Sequence, residues 1–410
     1  MAWIIGIILG AILIDAILDM TASRLNLKAL SKELPDEFEG VYDEETYARS
    51  QEYTRTRTRF GFLTGTFDLA LLLGFWFAGG FQWLDLWARG FEFGPVGTGL
   101  IFIGVLVLAK TVLSIPFSVY STFVIEERFG FNKTDARTFV SDRLKGILLS
   151  VVIGAPVLAG IIAFFEYGGS WAWVYAWGAV TAFSLAMQYI APTWIMPLFN
   201  KFEPLEEGAL RTAIEAYAEK VDFPLQGIYV IDGSRRSSKS NAFFTGFGKN
   251  KRIALYDTLI ENHTTEELVA VLAHEIGHYK KKHIQKGMAI SILHTGVMFA
   301  LLSVFLQFPA LYEAFFVEQM SVYAGLLFFG LLYSPVETVL GIAMQKMSRT
   351  HEYQADRFAA DTVGNREWMV DVLKKLSKDN LSNLTPHPFY VFLNYSHPPV
   401  LKRIRAIRDL

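Results

Sequence analysis

The chain contains no cysteine. Disulfides and thiolate metal sites are therefore excluded, and any transition metal must be held by histidine and carboxylate side chains. A chain without cysteine suits a reducing or an oxidising compartment equally. Charge is also scarce: 19% of the 410 residues are Asp, Glu, Lys or Arg, against about a quarter in soluble domains. The net charge of −2 carries no basic excess, so no nucleic-acid partner is expected. What the chain has instead is apolar bulk. Hydrophobic residues make up 52% and aromatic residues 15%, with a mean hydropathy of +0.30. That balance belongs to a protein solvated by lipid, with Phe and Trp available for interfacial anchoring.

Spanning about 30 Å of hydrocarbon takes roughly 20 helical residues. Seven apolar stretches approach that length: residues 3–18, 62–84, 100–124, 144–165, 171–195, 287–308 and 322–344. The first lacks a basic leading region and a small-residue cleavage site, and reads as a retained span rather than a signal peptide. The expected architecture is mainly α and polytopic, with seven transmembrane helices and a small α/β part. Residues 1–199 would hold spans one to five with their loops, and 287–346 spans six and seven. Two polar segments, 200–286 and 347–410, would form the catalytic part. The loop after the first stretch carries Arg24, Lys28, Lys32, Arg49, Arg55, Arg57 and Arg59, and the loop after the third carries Arg128, Lys133, Arg137, Arg143 and Lys145. Arg89 stands alone after the second, and the links after the fourth and sixth have no Lys or Arg. Positive charge collects on the cytoplasmic side of membranes, which places both polar segments there and the N-terminus outside.

Within 200–286, Leu210, Ile214 and Ala218 recur at helical spacing over residues 207–220. Strand-like runs follow at 227–231, 241–247 and 252–256, separated by Asp232-Gly233 and Gly248-Lys249-Asn250 turns. Thr264 with Glu267 three residues on reads as a capping box opening the next helix. That helix contains His274-Glu275-Ile276-Gly277-His278. Histidines four apart project from one helical face and can share a metal ion. Glu275 lies about 100° round the helix from His274, within reach of a metal-activated water. The bland alternative is a surface helix with two exposed histidines. Against it, the preceding turns are apolar and a span follows at once, where unpaired polar groups are costly.

A third ligand is needed. A histidine six residues after His278 would be one solution, but that position is Ile284. His283, about 140° further round a continuous helix, is expected to face elsewhere and to be an ordinary histidine. The candidate lies in Arg349-Thr350-His351-Glu352-Tyr353-Gln354-Ala355-Asp356. Glu352 and Asp356 share a helical face one turn apart. Glu352 can bind zinc while Asp356 accepts a hydrogen bond from the far nitrogen of a ligand histidine. His351 is the rival ligand, but it would leave both carboxylates without a role. A His/His/carboxylate site suits Zn2+, redox-inert and content with four ligands, at one ion per chain.

The HEIGH run at 274–278 and the EYQAD run at 352–356, with spans on both sides, resemble the Ste24 family of CAAX prenyl proteases, zinc metalloproteases of the M48 type. Ser240-Asn241-Ala242-Phe243-Phe244 is similar to that family's Asn-Ala-aromatic-aromatic motif, and Ser396-His397-Pro398-Pro399 followed by Arg403 matches a fourth segment. The resemblance covers nearly the whole chain. It implies a ring of seven helices around a water-filled intramembrane chamber, with a gluzincin-like zinc site facing into it. It further implies cleavage of C-terminally prenylated peptides. Asn241, Ala242 and Phe243 would lie on an edge strand that pairs with substrate backbone, and His397 and Arg403 would hold substrate and stabilise the oxyanion. From the residues alone, Asn241 is a turn residue and His397 a packing residue.

Asp15, Asp68, Lys110 and Glu337 lie inside the spans, where charges face either a wet interior or an ion-pair partner. The expected reaction is hydrolysis with Glu275 as general base. The lean length points to a bacterial inner membrane, or to the endoplasmic reticulum for a eukaryotic source. Competing readings are a quality-control protease like the HtpX relatives, a site-2 protease, and a zinc-stabilised channel or receptor without catalysis. The first has fewer spans, the second places its HExxH inside a span, and the third would need a fourth protein ligand.

Overall fold

The computed structural model describes residues 2–245 and 251–410. Hydrocarbon offers no hydrogen-bond partners, so apolar runs satisfy their backbone internally as helices. Among the described residues, six helices are long and apolar enough to cross a membrane: Trp3–Lys28, Glu44–Phe77, Gly94–Glu126, Ala136–Tyr167, His283–Phe305 and Val322–Thr362. The stretch at 171–195 is also helical over Ala172–Ile190, then turns as a π-helix over Ala191–Ile195 around Pro192. At 19 residues, and carrying Trp173, Tyr175, Trp177, Gln188 and Tyr189, it is shorter than each of the six and lacks a membrane-length window as apolar as theirs. Trp177 Nε1 donates to the Ile292 carbonyl at 2.9 Å, which binds it to the helix His283–Phe305.

The second span ends earlier than its apolar run. Gly79 adopts φ 71°, a left-handed conformation that glycine takes without strain, and breaks the chain into a separate helix, Gly80–Arg89. Residues 80–84 therefore belong to that short helix. Around it, Trp76, Phe81, Tyr312, Phe315, Tyr323 and Phe328 form a buried aromatic core that ties the loop after the second span to the loop before the last.

Asp15, Asp68, Lys110 and Glu337 each find a polar partner. Lys110 pairs with Asp68, His294 Nε2 lies 3.3 Å from a Glu337 oxygen, and Thr338 donates to Asp15 at 3.1 Å. Asp68, Lys110 and Glu337 nonetheless remain about half exposed.

The part outside the spans packs around Ile214, Leu268, Leu272, Ile276, Leu373 and Ile404. Its four strands are β1 (Phe202–Pro204), β2 (Leu225–Ile231), β3 (Ala242–Thr245) and β4 (Lys251–Tyr256), in the order β1-β2-β4-β3. β2 and β4 run parallel, while β1 and β3 pair antiparallel at the two edges. β1 is too short to carry an alternation and is not legible in the sequence. The Gly248-Lys249-Asn250 turn, with Gly246 and Phe247 of the expected strand, lies outside the described residues. The segment leading into β3 is fastened to the span helices. Arg236 forms a two-pronged ion pair with Asp142 at 2.8 and 3.0 Å, and Lys239 Nζ reaches Glu126 at 2.9 Å and the Tyr53 hydroxyl at 2.7 Å.

Candidate metal centre

Three elements build the site. The first is the helix Thr265–Lys280, which opens as the sequence expects. Thr264 Oγ1 accepts from the Glu267 amide at 3.3 Å, and the Glu267 carboxylate accepts from the Thr264 amide at 3.0 Å. The second is the helix Val322–Thr362, which runs for 41 residues through the last span and on into the part outside the spans. The third is the C-terminal helix Val400–Arg408 with the loop before it. The first two meet at Gly277. A Cβ there would lie 3.0 Å from the Ala355 Cα and 3.1 Å from its carbonyl oxygen, so only glycine lets the helices approach without displacement.

That approach brings together His274, His278 and Glu352, whose candidate ligand atoms all lie within 4.8 Å of one another. His274 Nε2 is 3.2 Å from His278 Nε2 and 3.4 Å from Glu352 Oε2, and His278 Nε2 is 3.2 Å from Glu352 Oε1. Four tetrahedral ligands at about 2.0–2.1 Å from a zinc ion sit about 3.3 Å apart, which is the spacing here. His274 Nδ1 lies 2.8 Å from Asp356 Oδ1, an acceptor, so Nδ1 carries the proton and Nε2 presents a lone pair. Glu352 Oε2 is a buried oxygen without a hydrogen bond. Lone pairs and a carboxylate oxygen without a hydrogen bond, converging at these separations, fit a shared cation better than one another.

Electrostatics agree. Burial disfavours the His274 imidazolium, yet its hydrogen bonds to Asp356 and Glu352 prevail and push its pKa up to about 9. The same negative charge that retains a proton would retain a metal ion, which displaces that proton on binding. Burial pushes the Glu275 carboxyl above its ordinary 4.5, and burial also lowers His397 below 6.5.

A cavity of about 480 Å³ opens on the group and is lined by Asn241, Ala242, His274, Glu275, His397 and Arg403 among others. His397 Nε2 lies 3.4 Å from Glu352 Oε1, and its Nδ1 is 2.9 Å from the Ser396 hydroxyl. Arg403 is largely committed elsewhere. Its Nε and Nη2 grip Asp356 at 2.8 and 2.6 Å, while Nη1 lies 3.4 Å from Glu352 Oε2. Asp356 is thus held by an arginine fork as it holds His274. Phe243 does not line the cavity; its ring packs toward Tyr256, centroids 6.4 Å apart.

The structure corrects the expectation for His283. That residue is buried, and its Nδ1 lies 3.0 Å from His278 Nδ1. The helical-rotation argument assumed one continuous helix. Instead the first helix ends at Lys280, Lys282 turns left-handed at φ 58°, and His283 begins a new helix with its own phase. The run Lys280-Lys281-Lys282 is the only sequence signal of that break. His351, the rival ligand, stacks flat on His283 at 3.9 Å and takes no part in the metal group. Arg349 was also not singled out by its sequence. Its guanidinium donates to the Val391 carbonyl at 3.2 Å and to that of Tyr395, steadying the loop that carries His397.

Two family models match consecutive parts of the chain. One describes the CAAX prenyl protease N-terminal region with five membrane helices, over residues 23–201, and the other peptidase family M48, over residues 204–410. The chain is 39% identical to the probable CAAX prenyl protease 1 of Schizosaccharomyces pombe, over 95% of this chain and 85% of that protein. It is 37% identical to the CAAX prenyl protease 1 homolog of Oryza sativa subsp. japonica, over 92% and 90%. The crystal structure of S. mikatae Ste24p superposes with a TM-score of 0.91 at 34% identity, covering 98% of each chain.

Proposed function

The chain belongs to the CAAX prenyl protease family of M48 peptidases and is an integral membrane metalloendopeptidase; from that premise we propose that His274, His278 and Glu352 hold one zinc ion and that Glu275 is the general base. The observation that carries this reading is the cluster of three donor groups at metal-ligand spacing, with Glu275 opening on the same cavity. Three protein ligands among the described residues leave a fourth position free, as a catalytic site requires and a structural one does not. Zinc, when bound, supplies a Lewis acid that activates water and polarises a peptide carbonyl near neutral pH.

Glu275 takes the proton of the attacking water and delivers it to the departing amine. Burial makes its carboxylate a stronger base than an exposed one and so suits it to both transfers. Glu352 Oε1, an acceptor 3.4 Å from His397 Nε2, favours the neutral ring's proton on Nε2, and the Ser396 hydroxyl at 2.9 Å can then donate to Nδ1. That N–H faces Glu352 Oε1 and is the donor for the developing oxyanion. Arg403 keeps Asp356 in place and adds positive charge behind the site. Ala242 and Phe243, with Asn241 just before them, present the outer edge of β3, whose only partner among the described strands is β4, as a template for an extended peptide.

The names of the relatives favour peptides with a prenylated C-terminal CAAX sequence as substrates. The exposed charges on Asp68, Lys110 and Glu337 support a water-filled interior among the spans. Basic loops on the side of the catalytic part favour a cytosolic site, at the endoplasmic reticulum or at a bacterial inner membrane. Replacing Glu275 by Gln keeps the shape and removes the base. The variant is expected to retain one zinc per chain and to lose about 10²–10⁴-fold in peptide cleavage. A zinc-loaded variant that cleaves like the native chain would remove Glu275 from this role.

A further inference from the structure

We infer that His283, anchored by Gln354, is a positioning residue that fixes the tautomer and ring orientation of the ligand His278. Asp356 does this for His274, but among the described residues no carboxylate or carbonyl is hydrogen-bonded to His278 Nδ1. The group against its far nitrogen is another imidazole, His283 Nδ1 at 3.0 Å. Two imidazole nitrogens make a hydrogen bond only if one is protonated and the other is not, so a third group must decide between them. That group is Gln354. Its Oε1, an acceptor, lies 2.9 Å from His283 Nε2.

The proton positions then follow in order. His283 carries its hydrogen on Nε2 and donates it to Gln354. Its Nδ1 is left with a lone pair, which accepts from His278 Nδ1–H. His278 Nε2 is left unprotonated and faces His274 Nε2 and Glu352 across the metal position. His351 completes the arrangement mechanically. Its ring lies parallel to that of His283, 6° apart in plane and 3.9 Å between centroids, and fixes the plane in which His283 can accept. His283 is 5% exposed, so water does not compete for its Nδ1. Gln354, His351 and Glu352 all project from the helix Val322–Thr362. The element that brings the third ligand therefore also orients the second. Partners of this kind outside the ligand set are worth 10–100-fold in metal affinity.

The inference rests on the zinc reading, and the test separates the two. Zinc affinity is measured on the full-length chain in detergent by competition with a chromogenic chelator. A native chain that binds no zinc overturns the underlying reading. With native binding established, His283→Phe keeps the ring and removes the acceptor, and is expected to weaken zinc binding at least tenfold. His283→Asn restores an acceptor near the Nδ1 position and should recover most of that loss, which a packing role would not allow. Gln354→Leu should weaken binding by itself and add nothing in the His283→Phe background, because both act through one chain of bonds. Native-like affinity in His283→Phe, or an Asn variant no better than the Phe variant, overturns the inference. If His283→Phe does not fold, exposed Gln354 decides: loss with Leu but not with Glu supports it, and native-like affinity in both overturns it.

Discussion

His263 immediately precedes the capping residue of the metal helix and is buried, with its Nδ1 3.1 Å from the Leu259 carbonyl and its Nε2 without a partner. Burial holds its pKa below the ordinary 6.5, so the folded chain keeps it neutral while the unfolded chain can protonate it. The unfolded state therefore binds more protons below about pH 6.5, and the stability gained from a neutral His263 is lost as pH falls through that value. His263→Phe should flatten this dependence. With a chelator present to silence the metal site, the drop in thermal midpoint from pH 7.5 to 5.5 is expected to be smaller in the variant than in the native chain. Equal drops would show that His263 does not carry it. Residue chemistry was legible where it depended on spacing within one continuous helix. His274, His278, Glu352 and Asp356 fall on matching faces of two helices, and the structure brings all four together. His283 was not legible, because its position depends on one left-handed residue, Lys282, that nothing in residue type demands. Ser396 stood inside a quoted motif, but its bond to His397 follows from loop geometry alone.

The site exists because two helices cross closely, and Gly277 sets how closely. A valine there would push its Cβ and methyl groups against the Ala355 backbone and the Phe358 side chain. Overpacking of this kind costs about 1–3 kcal/mol, but the sharper effect is on geometry, since Glu352 reaches the histidines from the opposing helix. Gly277→Val is expected to weaken zinc binding at least tenfold while most helical content by circular dichroism remains. Native zinc affinity in that variant would show that the crossing tolerates separation. The capping box, the metal helix and three of the four strands were legible as elements, since each has a local signal in residue type or alternation. Two features were not. The apolar run after the second span gave no hint that Gly79 divides it, because hydropathy is blind to backbone handedness. The polar stretch bearing Glu352 proved to be one helix with the last span, since a change from lipid to water alters the side chains and not the hydrogen-bonded backbone.

At the level of the whole molecule, family and membrane class were legible because they rest on order and composition: four motifs in sequence, and apolar runs between basic loops. The number of spans was less so. The helix Ala172–Ile190 is packed among the others with aromatic and amide groups that lower its apolarity. The absence of cysteine makes orientation directly measurable. Glu39 lies beside Glu37, which pairs with Arg405 of the catalytic part, while the Glu318 amide bonds Gln82 after the second span. In oriented membranes, Glu39→Cys should react with an impermeant maleimide from the cytosolic face alone and Glu318→Cys from the opposite face alone. Labelling of both from one face would contradict the proposed topology. The central claim is that a metal held by His274, His278 and Glu352 and a base at Glu275 hydrolyse a peptide beside the membrane. Its most direct test is cleavage of a farnesylated CAAX peptide by the detergent-purified native chain and by Glu275→Gln, each with and without a chelator. The account predicts cleavage by the native chain only, abolished by the chelator and restored by added zinc; cleavage that persists in the chelated native chain, or in the zinc-loaded Gln variant at the native rate, would contradict it.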